Sequence, residues 1–231
     1  MSKRKYVAVI PARKGSKGFP FKNRLLFDDT ADFIDGKGWF EQVIVSTDDE
    51  VVAEKARARG YVVHARPEDL SGDAVSIKRV MQSVIRDFKL SEDTVVWLFY
   101  LPVAYKDVSD FLKAKKIMEE GKAASLCSFI PAKSHPLNCW SYDEKTGILK
   151  QYIENDVYRR QDLPPAWTHH HYICCFKAGE IGNLNSELVN GKTYLFFLGR
   201  GTVAKLIEID TPEHYEQWKL LANKEVLNHG T

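Results

Sequence analysis

An α/β fold, doubly wound with helices on both faces of a mostly parallel sheet, is the class this sequence predicts. Three observations lead there. Short continuous apolar runs, such as "YVAVIPA" and "DTVVWLFYL", read as strands buried on both faces. Amphipathic stretches of helical length lie between them. Strand and helix then alternate over roughly the first 130 residues, as parallel sheets with crossover helices require.

Taken in order, "YVAVIPA" is the first strand and "EQVIVSTDD" the second, ending at Ser46, Thr47, Asp48 and Asp49. "DEVVAEKARARG" is a helix with acidic residues first, basic residues last and Gly60 as its stop. "YVVHARP" is a third strand. "SGDAVSIKRVMQSVIRDF" is a helix with Val75, Ile77, Val80, Met81, Val84 and Ile85 on a broad apolar face. "DTVVWLFYL" is a central strand, "VSDFLKAKKIMEEGK" a helix and "AASLCSFIPA" a strand. Residues 135–172 break the pattern. They are polar, aromatic and proline-rich, an excursion from the sheet with a hairpin expected around "YDEKTGI". "ICCFKA" and "VAKLIEID" read as further strands. Thr211 and Pro212 then open a last helix as N-cap and first helical residue.

The chain has 231 residues, which suits a single domain, 1–231, carrying that excursion. A net charge of +2 argues against a nucleic-acid coat, so an anion site must be local. No apolar run approaches the length of a membrane span, and the N-terminus has no signal-peptide core. Cys127, Cys139, Cys174 and Cys175 lack zinc spacing, and Cys174 and Cys175 would face opposite sides of a strand. Buried free thiols in a reducing cytoplasm are expected.

Ligands of such sheets bind beyond the carboxyl ends of the strands. The segment after the first strand, "RKGSKGFPFKN", holds four cations and two glycines in eleven residues. Gly15 and Gly18 can take positive φ and turn backbone N–H groups inward as an anion nest. Arg13, Lys17 and Lys22 supply charge. The spacing matches neither G-x4-G-K-[ST] nor G-x-G-x-x-G. A phosphate site of other geometry is one reading and a solvated basic turn the other.

"AVIPARKGSKGFPFKN" resembles the N-terminal signature of the acylneuraminate cytidylyltransferases (CMP-sialic acid synthetases and their relatives), close to I-P-A-R-x-x-S-K-G-x-x-x-K-N. Ile10, Pro11, Ala12, Arg13, Ser16, Lys17, Gly18, Lys22 and Asn23 meet every fixed position. "VIVSTDDEVVAEKARARG" is similar to that family's second strand and helix, and "RPEDLSGDAVS" to its R-P-x-x-L-x-x-D-x-x-S element. "HPL", "RRQDLP" and "IEID" follow in the family's order.

The resemblance implies a Rossmann-like nucleotidyltransferase that couples CTP to an acidic sugar of the nonulosonic type, releases pyrophosphate, uses Mg²⁺ and forms a homodimer. On it, Arg13 and Lys22 are the catalytic cations. Ala12, Gly15, Ser16, Lys17, Asn23, Arg66, Asp73 and Ser76 join them around the nucleotide. Asp73 could equally cap the following helix. Arg160 and Gln161 correspond to a stretch that meets the sugar, whose carboxylate suits an Arg. Alternation puts Glu208 and Asp210 on one face near a strand end, where two carboxylates suit Mg²⁺. The exposed aromatics Trp140, Tyr152, Tyr158 and Trp167 suit a dimer interface.

Three departures from the family stand out. The segment "RLLFDDTADFIDGKGWFEQ" lacks the usual G-K-P-L-I turn and is expected to lack the full first helix. "FYLPVAYKD" replaces Q-P-T-S-P-L-R, with Phe99 at the Gln position, where aromatics could stack on a base. "HHHY" replaces N-G-A, so that His169, His170 and His171 fall at the acceptor pocket. His170 and His171 are taken as acceptor contacts. His169 and His171 could instead hold a transition metal with a carboxylate from elsewhere, and a structural role is the third reading. The donor end is thus intact and the acceptor end rewritten. That leaves an active enzyme for an unusual acidic acceptor, or a weakened relative that binds nucleotides or partners.

Overall fold

The structure, a computed structural model, describes residues 5–229. A seven-stranded sheet forms its centre, built from β1 (Tyr6–Pro11), β2 (Gln42–Thr47), β3 (Val62–Ala65), β4 (Val95–Leu98), β5 (Ser125–Pro131), β8 (Trp167–Lys177) and β9 (Tyr194–Phe197). Their spatial order is β3-β2-β1-β4-β8-β5-β9. All pairings in it are parallel except those of β8, which runs antiparallel to both β4 and β5. A separate hairpin joins β6 (Trp140–Asp143) to β7 (Ile148–Gln151), as the "YDEKTGI" turn predicts. The helices are α1 (Lys22–Asp35), α2 (Glu50–Ala58), α3 (Ile77–Asp87), α4 (Val108–Glu119), α5 (Arg200–Lys205) and α6 (Pro212–His229).

Alternation along the strands feeds two cores. Tyr6, Ala8 and Ile10 of β1 and Val95 and Trp97 of β4 face one layer, where Leu26 and Phe27 of α1 and Phe111 of α4 pack. Val7, Val9, Val96 and Leu98 face the other, where Val80, Met81 and Val84 of α3 pack. Each Val, Leu, Ile, Phe or Met among them that is buried completely contributes about 1.5–3 kcal/mol. The doubly wound reading therefore holds.

Several local expectations do not. The first crossover carries a full 14-residue helix, α1, which buries Leu26, Phe27, Thr30, Ala31 and Ile34 at helical spacing. A turn at Pro20 and Phe21, with the Lys22 N–H donating to the Phe19 carbonyl at 3.3 Å, links the basic loop to its start at Lys22. "SGDAVS" is a turn, and α3 begins at Ile77 with the Ser76 hydroxyl accepting from the Arg79 N–H. Segment "VAKLIEID" is not a strand. Val203–Lys205 are the end of α5, and Glu208 makes only an isolated antiparallel bridge to Val103. β9 is a strand that the pattern did not mark. The excursion is also shorter than 135–172, because β8 has re-entered the sheet by Trp167. Thr211 does cap α6, its hydroxyl accepting from the His214 N–H at 3.3 Å.

β8 owes its shape to an irregularity. Cys127 of β5 pairs with Cys174, but the next residue, Ser128, pairs with His170. Three residues are looped out of register between them. The hydroxyl of fully buried Ser128 fills the gap, donating to the His170 carbonyl and accepting the Ile173 N–H. His171 is the first of the three looped-out residues, and His169 and His170 immediately precede it.

Candidate functional site

The strand order reverses between β1 and β4, and a cleft of about 390 Å³ opens beyond their carboxyl ends. Its walls come from the loop after β1, the segment 66–77, the residues after β4, the histidines of β8, and Glu187 and Glu208.

The loop after β1 supplies most of the charge. Thr47 donates its hydroxyl to the Ala12 carbonyl, and the Ala12 N–H reaches Ser46. Buried Ala12 is therefore a backbone anchor. Asn23 Nδ2 donates to the Arg13 carbonyl at 2.9 Å and ties the loop to α1. Gly15 and Ser16 line the cleft. The expected positive φ falls neither at Gly15 nor at Gly18 but at Phe21, φ 58°, just before α1. A non-glycine residue held there stores backbone strain next to the loop. Gly18 is small for another reason: the Asp210 carbonyl lies against it.

The cations are held by carboxylates. Arg13 pairs with Asp73, which Lys17 also reaches at 3.1 Å. Hydrogen bonds from Lys17 and then Arg13 lower the Asp73 carboxyl below its usual range. Asp73 is thus an ion-pair hub, and the capping role belongs to Ser76. Lys22 is largely buried and donates to Asp210 at 2.6 Å and to the Ile209 carbonyl at 3.2 Å. Arg66 is buried and donates to the Ser46 carbonyl at 2.9 Å, so it is no surface ion pair. Burial lowers its guanidinium to about 10, partly offset by Asp48. Arg13, Lys22 and Arg66 converge on the cleft from three separate elements.

Glu208 and Asp210 flank Ile209, which is fully buried. Alternation over these three residues therefore turns both carboxylates the same way, although no regular strand carries them. Glu208 lines the cleft, and Asp210 sits at its edge on Lys22. Enclosure, then the charge of Asp210, raises the Glu208 carboxyl. A cation bound there would offset the charge that Asp210 imposes on Glu208. Mg²⁺ keeps several waters and takes one or two protein carboxylates, so the pair fits it.

All three histidines line the cleft, because the bulge breaks strict alternation. His170 accepts the Tyr172 N–H at Nδ1, 3.1 Å, and burial lowers it to about 4. His171 is lowered too, chiefly by burial. Its Nε2 lies 3.1 Å from the Glu187 carbonyl, and its ring meets Tyr100 edge-on at 5.7 Å. Glu187 and Tyr100 are cleft residues that the sequence did not mark. Tyr100 directly follows Phe99 after β4, and that position was its one available signal. Phe99 itself is buried and stacks on Phe111 at 5.8 Å, so it belongs to the core and is not placed to meet a base.

Arg160 and Gln161 lie in an exposed turn of the excursion, outside the residues that line the cleft. Trp140, Tyr152, Tyr158 and Trp167 are exposed as expected, Tyr158 almost completely at 98%. Cys127, Cys139, Cys174 and Cys175 are free thiols. Among the described residues no helix is long and apolar enough to cross a membrane.

The family model described as cytidylyltransferase matches residues 7–100. The chain is 27% identical over 171 residues to the N-acylneuraminate cytidylyltransferase of Streptococcus agalactiae serotype III, a match over 71% of this chain and 41% of that protein. It is 26% identical over 218 residues to the CMP-N,N'-diacetyllegionaminic acid synthase of Legionella pneumophila, covering 89% of this chain and 91% of the relative. The chain thus spans well under half of the streptococcal relative and nearly all of the second. Among solved structures, a CMP:2-keto-3-deoxy-manno-octonic acid synthetase complexed with CTP superposes with a TM-score of 0.65 at 16% identity, covering 96% of this chain and 99% of the other. A 4-diphosphocytidyl-2C-methyl-D-erythritol synthase superposes with a TM-score of 0.60 at 14% identity, covering 95% and 100%. Both share the α/β fold described above.

Proposed function

We propose, from the premise that this chain is a divergent relative of the cytidylyltransferases, that it transfers the cytidylyl group of CTP to an acidic sugar of the nonulosonic type. The observation that carries this reading is the convergence of Arg13, Lys22 and Arg66 with the Glu208–Asp210 pair at the sheet's switch point. Anomeric hydroxyl attack on the α-phosphorus forms a new P–O bond, and the bond to the β-phosphate oxygen breaks. Such chemistry needs positioning and charge stabilisation more than covalent help.

The residues divide that work. Arg13 offers a planar fork to phosphate oxygens, with Ser16 and the loop amides beside it. Lys22, at the first turn of α1, meets the charge that grows on the departing pyrophosphate, with the helix N-terminus behind it. Both cations are already oriented by carboxylates, so the triphosphate exchanges partners with Asp73 and Asp210. Glu208 and Asp210 would hold Mg²⁺, which would offset the negative charge of the phosphates. Arg66, Asn23 and Ser76 frame the nucleotide, and the histidines face the acceptor. Exposed Trp140, Tyr142 and Leu149, which the register of the β6–β7 hairpin sets on one side, form the face through which two copies pair. Four free thiols suit a reducing compartment.

Pyrophosphate release, measured with CTP, Mg²⁺ and a panel of acidic sugars, tests the proposal. Turnover is expected with at least one sugar, and Arg13→Ala should lower kcat/KM about 10²–10³-fold. CTP binding without turnover on any acceptor would leave a nucleotide-binding relative in place of an enzyme. Absence of CTP binding would overturn both.

A further inference from the structure

We propose that His169, His171 and Glu187 form a site for a divalent transition-metal cation on the acceptor side of the cleft, distinct from the Glu208–Asp210 pair. Among the described residues these three come together as metal-capable side chains, one ligand atom from each lying within 4.8 Å of the other two. His169 Nε2 is already 3.5 Å from a carboxylate oxygen of Glu187. Ligands about 2.0–2.2 Å from a tetrahedral cation stand roughly 3.3–3.5 Å apart, so closing the triad needs only a rotamer-sized movement. His171 Nε2 faces the Glu187 main-chain carbonyl at 3.1 Å. An N–H donated there leaves a lone pair on Nδ1 and fixes the ring, the arrangement that orients metal-bound histidines.

Ligand chemistry separates this site from the Mg²⁺ pair. Two imidazoles and one carboxylate select zinc-like cations, whereas carboxylates alone suit Mg²⁺. Three protein ligands leave a fourth position open, and His169, His171 and Glu187 all line the cleft, so that position is within reach of a bound ligand. The cations lining the cleft, Arg13, Lys22 and Arg66, belong to the loop after β1, to α1 and to the segment after β3. On the histidine side the nearby fixed cation is Lys133, whose charge reaches His170 but which does not line the cleft, so a bound ion would add the positive charge an acidic acceptor needs there. This last role rests on the function proposed above, but the site itself does not. Its open position should take an oxygen-donor anion such as an α-hydroxycarboxylate.

Metal-stripped protein titrated with Co²⁺ and Zn²⁺, without nucleotide, provides the test. One equivalent should bind, with visible cobalt bands of low-coordinate geometry that shift on adding glycolate. His171→Gln and Glu187→Gln should each weaken Zn²⁺ binding at least 10-fold, with melting curves confirming that they fold, while Glu208→Gln, which removes a neighbouring charge and no ligand, changes it less than either. Absence of a stoichiometric site, or affinity unchanged in the His169→Gln/His171→Gln double variant, overturns the proposal. A cobalt spectrum blind to glycolate overturns the open position. CTP affinity measured on the same samples keeps the outcomes separate: zinc binding without CTP binding sinks the donor assignment alone.

Discussion

Gly18 has no side chain because the Asp210 carbonyl lies where one would go; a Cβ there would meet that oxygen at 2.7 Å. The contact presses the basic loop onto the Glu208–Asp210 segment and sets Lys22 beside its carboxylate partner. Backbone cannot swing aside as a flexible side chain would, so Gly18→Ala must move the loop. We expect at least a 10-fold loss of CTP affinity, read by calorimetry, and a lowered melting temperature, because neighbouring Phe19 packs against the first core and on Tyr215 at 5.7 Å. At this scale the sequence was informative about which residues matter and less so about why. The glycines marked the loop, but at Gly18 the reason is close approach and not positive φ. Arg13, Lys22 and Arg66 were legible because cations beyond strand ends have few other uses. Glu187 was not, because only tertiary structure brings it from the segment after β8 to the histidines.

Elements were read well where their period was local. α1 illustrates a misreading: its buried positions have clear helical spacing, yet its divergence from the family's turn suggested a missing helix. "VAKLIEID" shows the reverse, an apolar stretch of strand-like composition that forms the end of a short helix and a single bridge. Such short apolar runs are ambiguous until packing decides them. The bulge in β8 left no local trace, since it depends on which residue of β5 lies opposite. Its integrity depends on Ser128, whose hydroxyl serves both the His170 carbonyl and the Ile173 N–H in a fully buried setting. Ser128→Ala leaves a buried N–H without its partner. A stability loss of about 1–3 kcal/mol is expected in urea unfolding, together with altered cobalt bands if the histidines shift with the strand.

At the scale of the molecule, strand–helix alternation was enough to give the layers and both cores. Sheet order was not, because pairing across long separations is a tertiary choice. The hairpin at 140–151 leaves Trp140, Tyr142 and Leu149 more than half exposed on one side, an apolar patch that suits an interface. If two copies pair there, Leu149→Asp should convert a dimer to a monomer in analytical ultracentrifugation without changing the melting profile of the sheet; a wild-type monomer would refute the pairing. A different consequence follows from the place of β8. β4 and β5 are not neighbours: an antiparallel strand from residues 167–177 lies between them and pairs with both. During synthesis, therefore, the inner edges of two apolar strands wait, unpaired, until nearly fifty more residues beyond β5 have been made. Open edges of that kind invite association with other chains. The late strand closes the sheet in a single long-range step, which makes the time between translation of residue 131 and residue 177 the nascent chain's most vulnerable interval.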